Sequence, residues 1–280
     1  MKNTMKKPVN IPVSILRPFE GHPFKVKDDE EMNTLITSIQ TVGILSPLIV
    51  RPIENTDEYE VISGHRRLHA AVKAGITEVP ALIYALDRDS AAIAVVDSNL
   101  HREHILPSEK AFAYKLKMDA LNHQGVTCGQ VGHKSRDDVS DTESGRTVQR
   151  YIRLTNLIPE LLEFMDEGKI ALMVGEALSY LGDEEQYAVL EECEMNDCTP
   201  SYAQAVEMKK RFQDRQLSAY DIGEILSREK ANQQEMFKVP MERIRKYVPN
   251  ANAKQAEDFV MKACEHYRKF LIRQRNRDEW

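Results

Sequence analysis

Long apolar runs are missing from this sequence. The longest uninterrupted stretch is residues 91–96, far short of the ~20 residues that a membrane-spanning helix needs. Residues 1–7 are basic, but Pro8 and Pro12 stand where a secretory signal would carry its apolar core. Cysteine is scarce: four residues (Cys128, Cys193, Cys198 and Cys264) in a chain of 280. With no secretion signal, reduced thiols in a cytoplasmic protein are the expectation. No G-x-x-x-x-G-K-[ST] loop is present, which excludes an ordinary P-loop ATPase. Nor is there a compact carboxylate cluster of the kind two-metal cleavage requires. His65 and His69 have the i, i+4 spacing of a zinc helix, but Arg66 occupies the place of the general base, so a metalloprotease is excluded. His123, Cys128 and His133 lack a fourth metal ligand in their polar surroundings, and Cys193 and Cys198 lack a second pair.

Charge is abundant and segregated. Residues 154–207 hold thirteen Asp/Glu against one Lys, a local −12, so the rest of the chain carries +6 although the whole is −6. Residues 1–27 have six Lys/Arg and one Glu, and residues 266–277 have five Lys/Arg and no acid. Such asymmetry is compatible with a nucleic-acid-binding face.

The patterning predicts an α+β chain in three parts. Residues 8–106 read as mixed α/β, residues 107–214 as all-helical, and residues 236–280 as a short, mainly helical segment after a polar linker around 228–235. In the first part, Val9, Ile11, Val13 and Ile15 alternate as in a strand that Pro12 confines to an edge. Asp28 is placed to cap a helix with the stripe Met32, Leu35, Ile36 and Ile39, closed by Gly43. Short strands are expected at 48–50, 59–62 and 79–86, with helices at 65–74 and 90–97. In the second part Ser108 is expected to cap a helix to about His123, with Phe112, Leu116 and Ala120 on one side. Further helices fit 147–157, 160–166, 170–181, 184–194 and 201–211. The third part offers a strand at 236–239, a helix before Pro249, and a last helix with Ala256, Phe259, Val260, Ala263, Tyr267, Phe270 and Leu271 on one stripe.

Two constellations carry chemistry. In the segment from Tyr59 to His69 a strand ends, Gly64 permits a tight turn, and a helix begins at once. The unpaired first-turn amides of such a helix attract an anion, and Arg66 and Arg67 add donors suited to phosphate. Asn99 and Arg102 lie in a second polar knot at residues 97–103. In the other constellation, Arg146, Gln149, Arg150 and Arg153 recur at i, i+3, i+4 and i+7, which places three guanidiniums and an amide on one helical face. Thr147 stands beside them, while Val148, Tyr151 and Ile152 face elsewhere. Arg and Gln in this arrangement suit base edges or phosphates in a major groove, as a recognition helix requires. A solvated basic helix is the bland alternative. The preceding helix of such a motif would have to lie in 135–143, with Ser135 and Asp138 as a capping box.

The sequence Ser63-Gly-His-Arg-Arg67 resembles the Gly-x-Arg-Arg box of the ParB partition proteins, and Asp97-Ser-Asn-Leu-His-Arg-Glu103 resembles the Glu-Asn-Leu-Gln-Arg box that follows it. Gly43-Ile-Leu-Ser-Pro-Leu48 and the helix opening Leu106-Pro-Ser-Glu-Lys110 are also similar to stretches of that family, in the same order. The form is more like that of plasmids and mobile elements than of chromosomes. The resemblance implies a ParB/sulfiredoxin-like fold for the first part and a helix-turn-helix in the second. It implies CTP, with Mg2+, held by Gly64, Arg66, Arg67, Asn99 and Arg102, with Gly43 near the base. It further implies double-stranded DNA held by Arg146, Thr147, Gln149, Arg150 and Arg153, and a homodimer that closes as a sliding clamp in chromosome segregation or plasmid maintenance. Ser98 and His101 replace the family's Glu and Gln, which leaves CTP hydrolysis open and nominates no catalytic residue. A ParA-type ATPase is the family's partner, but residues 1–10 lack the Gly and Leu of the tail that engages it. Sulfiredoxin chemistry is excluded because His65 stands where that enzyme needs a nucleophilic Cys. A transcriptional regulator without nucleotide gating is the alternative.

Overall fold

The computed structural model describes residues 7–102, 104–127, 139–140, 143–228, 241–249 and 252–278. Residues 1–228 pack as one unit and residues 229–280 as a second.

Five strands form a mixed sheet in the order β1-β5-β3-β4-β2. They are β1 (Val9–Pro12), β2 (Leu16–Pro18), β3 (Leu48–Pro52), β4 (Tyr59–Ser63) and β5 (Glu78–Ile83). The pairs β1–β5 and β3–β4 are antiparallel, whereas β2–β4 and β3–β5 are parallel. The alternation from Val9 to Ile15 is not one strand: a 3-10 turn at Val13–Ile15 separates β1 from β2 and sends them to opposite edges of the sheet. Pro12, with no amide to donate to a ladder, marks the break.

Helices α1 (Glu30–Val42) and α2 (His65–Lys73) pack on each other, and α2 covers one face of the sheet by setting Leu68 and Ala71 against Leu48, Val50, Val61 and Val79. Asp29, not Asp28, caps α1 by accepting the Met32 amide at 2.8 Å. Asp28 instead accepts from His69 and Lys73 of α2, which hold its carboxyl below the usual range. On the other face α3 (Arg88–Leu100) buries Ala91, Ala92 and Val95 against Phe19 and Ile62. It is longer than the 90–97 segment expected and is capped by Asp87.

Helix α4 (Pro107–Thr127) packs along α3 and leads into a helical bundle. Ser108 is not its cap but lies in its first turn, where its amide and hydroxyl donate to Asp166 at 2.9 and 2.6 Å. Glu109 reaches back to the Leu106 amide as a capping box would. Phe112 is exposed, and the buried apolar side chains include Ala111, Ala113, Tyr114 and Ala120. The bundle continues through α5 (Gly145–Leu154), α6 (Pro159–Asp166), α7 (Leu172–Leu178), α8 (Asp183–Met195), α9 (Tyr202–Gln213) and an unanticipated α10 (Ala219–Ser227). Its core is Leu154, Leu161, Leu178, Val189, Met208, Ile222 and Ile225. Helix α5 starts two residues earlier than expected, because Ser144 caps it through the Thr147 amide.

The second unit contributes α11 (Met241–Arg245) and α12 (Ala253–Asp278). Among the described side chains of α12 only Ala256 is buried, while Phe259, Tyr267, Phe270 and Leu271 are exposed. The strand expected at 236–239, most of the helix expected at 135–143, and Cys128 and His133 lie outside the described residues. Among the described residues, Cys193 is buried, Cys198 half-buried and Cys264 exposed, and no helix is long and apolar enough to cross a membrane.

Candidate nucleotide cleft and nucleic-acid interface

The junction between β4 and α2 is built on Gly64, whose backbone is left-handed at φ 105°. A Cβ there would lie 3.1 Å from both the Arg67 guanidinium and the Leu48 side chain, so the position tolerates only glycine without strain. The turn puts His65, Arg66 and Arg67 in the first turn of α2, and the three side chains go to three different places.

Arg67 turns towards the loop after α1. Its Nη1 donates to the Ser46 carbonyl and, at 2.9 Å, to the Pro47 carbonyl, and burial lowers its pKa. Arg66 points into an open cleft of about 870 Å³ whose lining includes Lys25, Lys27, Arg102, His104 and Glu109. There it donates to Glu31 at 3.1 Å and lies 3.7 Å from Asp29, an exposed arrangement of small energetic weight. His65 packs against His22, with ring centroids 3.7 Å apart and planes tilted by 38°. Burial, then His22 and Arg102, push its pKa down to about 3, so it is neutral near pH 7 and adds no charge to the cleft. His69 is tied to Asp28, away from His65, and no cluster of metal-ligating side chains occurs among the described residues.

Asn99 and Arg102 divide in the same way. The Asn99 amide is buried and donates to the Val95 carbonyl at 2.7 Å, inside its own helix. Its backbone carbonyl accepts the Arg102 amide at 3.1 Å, which closes α3 and sets where Arg102 emerges. Arg102 lines the cleft, 5.8 Å from the Phe24 ring centroid, with no carboxylate in ion-pairing range among the described residues. Burial and the neighbouring charge of Arg66 lower its pKa, the mark of two cations held close together. Gly43 ends α1 with φ 76° and does not line the cleft. Of the six residues expected to hold a nucleotide, Arg66 and Arg102 therefore line the cleft, while Gly64 and Asn99 set the backbone from which these two emerge and Arg67 holds the 46–47 loop.

Sequence reasoning missed Lys25, Lys27 and Glu109. The basic run at residues 1–27 carried the signal for the lysines, since the chain after β2 brings them to the mouth of the cleft. Glu109 accepts the Lys25 amide at 2.8 Å and so binds this segment to α4.

The second constellation is intact as a surface. Arg146, Gln149, Arg150 and Arg153 of α5 line one depression of about 410 Å³ together with Glu176 and Tyr180. Here too the side chains split. Arg153 is drawn inward: it donates to the Ser179 carbonyl at 3.2 Å, lies 3.9 Å from the Tyr180 ring centroid, and buries its Nε. Arg150 is held through Nε by Glu176 at 3.0 Å. Thr147 shares a 3.0 Å hydrogen bond with Ser144 at the helix start. Arg146 is exposed.

The chain is similar to several known proteins. The ParB N-terminal domain family matches residues 1–100. The chain is 37% identical to the chromosome-partitioning protein Spo0J of Thermus thermophilus over 185 residues, 66% of this chain and 64% of that protein. It is 33% identical to the nucleoid occlusion protein of Geobacillus thermodenitrificans, over 63% of this chain and 59% of that one. The chain thus spans less than two thirds of the length of these relatives. Among solved structures, C-terminally truncated ParB from Caulobacter crescentus complexed to the centromeric parS site aligns at 21% identity and a TM-score of 0.43, covering 78% of this chain and 98% of that one. Residues 1–100 thus match the ParB N-terminal domain, and the chain is similar to chromosome-partitioning proteins of the ParB and Spo0J type.

Proposed function

We propose that this chain is a DNA-binding partition protein whose N-terminal cleft holds CTP, with Mg2+, and gates the loading of a homodimer onto duplex DNA. The observation that carries the reading is the pair Arg66 and Arg102 on one cleft beside the first turn of α2. Two adjacent guanidiniums, one without a carboxylate among the described residues, together with unpaired helix amides, suit a polyphosphate. Lys25 and Lys27 add charge at the mouth. The Arg66–Glu31 contact is exposed, so a phosphate can displace it at little cost. Arg67, Asn99 and Gly64 act on the ligand by fixing the walls. Ser98, which donates to the Val95 carbonyl, stands where the family has a carboxylate, and this substitution bears on metal binding and hydrolysis more than on affinity.

Helix α5 is the DNA-reading element in this proposal. Arg146 and Gln149 supply the outer donors, and Glu176 orients Arg150 while leaving its terminal amino groups available. The apolar stripe of α12, uncovered within its own unit, is the proposed dimer seam. The variant boxes favour the plasmid and mobile-element branch.

The test is equilibrium binding of labelled CTP against ATP, GTP and UTP, with and without duplex DNA from the neighbourhood of the gene. Selective CTP binding strengthened by DNA supports gating. DNA binding with no nucleotide binding favours the transcriptional regulator. On the DNA side, Arg150→Ala is expected to reduce preference for a cognate duplex more than bulk affinity. Equal loss on all sequences would make Arg150 a phosphate contact only.

A further inference from the structure

The surface beside α5 does not stop at Tyr180. A second depression of about 220 Å³ between α7 and α9 is lined by Glu176, Tyr202, Val206, Lys209 and Lys210 among others, and Glu176 belongs to both depressions. Tyr180 joins them: the Arg153 guanidinium lies 3.9 Å from its ring centroid and the Lys209 ammonium 3.3 Å. Two cations on one phenol ring repel each other, and a polyanion nearby would relieve that repulsion.

The lysines differ from the next cation on their own helix. Arg211 is held by Glu207 at 2.6 Å and by Asp221 at 3.2 Å and so serves the packing of α9 on α10. Neither Lys209 nor Lys210 has a carboxylate in ion-pairing range among the described residues. Their position in the chain sharpens the contrast. Residues 154–207 carry thirteen acids, and their single Lys, Lys169, pairs with Glu167 at 2.7 Å. Such a segment repels nucleic acid except where cations are concentrated. The one acid within the joined surface, Glu176, is neutralised by Arg150.

We infer that Lys209 and Lys210 form a phosphate-binding strip continuous with the α5 groove, so that duplex DNA is held across α5, α7 and α9. The inference rests on the DNA-binding reading of α5. The ligand is the phosphodiester backbone: compact ammonium charges on flexible stems neutralise phosphates without reading sequence. Phosphates neutralised by protein cations appear in the salt dependence of binding, at ~0.9 of log–log slope each.

The experiment is duplex DNA binding by the full chain as a function of salt, with one duplex from the neighbourhood of the gene and one scrambled. Lys209→Gln with Lys210→Gln is expected to reduce the slope by about 1.8, so that a fourfold rise in salt costs about tenfold less affinity than in the parent. Both duplexes should be affected alike. Lys210→Gln alone, at an exposed position, should remove about half of that slope and guards against any disturbance of the Tyr180 contact. Lys209→Arg with Lys210→Arg should retain the slope, and Lys169→Gln should leave it unchanged. An unaltered slope in the double Gln variant, with DNA binding intact, overturns the strip and leaves the α5 reading standing. A loss confined to one duplex also overturns it, because the lysines would then read bases. A parent chain that binds neither duplex ends both readings.

Discussion

The cleft beside α2 and the α5 groove solve one problem twice. Each contains an arginine that turns inward to hold backbone carbonyls, Arg67 on Ser46 and Pro47, and Arg153 on Ser179. Each also presents arginines to solvent, Arg66 and Arg102 in the cleft, Arg146 and Arg150 in the groove. The difference lies in how the outward cations are held. In the cleft Arg102 has no carboxylate partner among the described residues and Arg66 only the exposed Glu31 and Asp29, which suits a ligand bearing concentrated charge. In the groove Arg150 is braced by Glu176, which suits a donor that must arrive in a fixed orientation. A motif rich in arginine is therefore a mixture of walls and contacts, and mutation should separate the two.

The largest effect is expected at the turn that both walls and contacts need. Gly64→Val would strain a φ of 105° and press a side chain against Arg67 and Leu48. A loss of about 3 kcal/mol in chemical unfolding is expected, and a parent-like midpoint would show that the turn relaxes freely. Next, Arg67→Ala should cost about 2 kcal/mol by leaving two carbonyls unpaired, whereas Arg66→Ala should stay within about 0.5 kcal/mol of the parent. Equal stability of the two would erase the distinction in the cleft. In the groove the matching pair is Arg153→Ala, at about 1 kcal/mol, and Arg146→Ala, with no measurable change in unfolding.

A separate effect is on pH, negligible at pH 7 and growing as pH falls. His65 has a pKa of about 3 in the fold against 6.5 when free. The unfolded chain therefore takes up a proton as pH falls through 6.5 while the fold does not, and stability drops progressively from there towards pH 3. The slope contributed by this group reaches at most about 1.4 kcal/mol per pH unit. His65→Gln should flatten the decline between pH 7 and 5, and an unchanged profile would mean that other groups govern it.

The strand–glycine–helix turn at Gly64 was legible in the sequence because a glycine between a β-rich run and an amphipathic one has few alternatives. So was the shared face of Arg146, Gln149, Arg150 and Arg153, since helical spacing alone places them together. Which of Arg66 and Arg67 faces the ligand was not legible. Neighbours on a helix point about 100° apart, and only the position of the distant 46–47 loop decides which one is captured. The choice between Asp28 and Asp29 as cap has the same origin: either could accept the amide, and the cations of α2 claim Asp28. The break at Val13 was hidden because the alternating pattern continues through the turn. Lys209 and Lys210 escaped notice because they follow an acidic run, and only the packing of α7 on α9 brings Lys209 to Tyr180 and both lysines to one depression.

The most direct test of the cleft is a calorimetric titration of CTP into the full chain and into the Arg66→Ala, Arg102→Ala double variant, with unfolding measured alongside. The account predicts that the parent binds and that the variant loses about 100-fold or more in affinity while keeping the parent's stability. Undiminished CTP binding by a folded double variant would contradict it and place the nucleotide elsewhere.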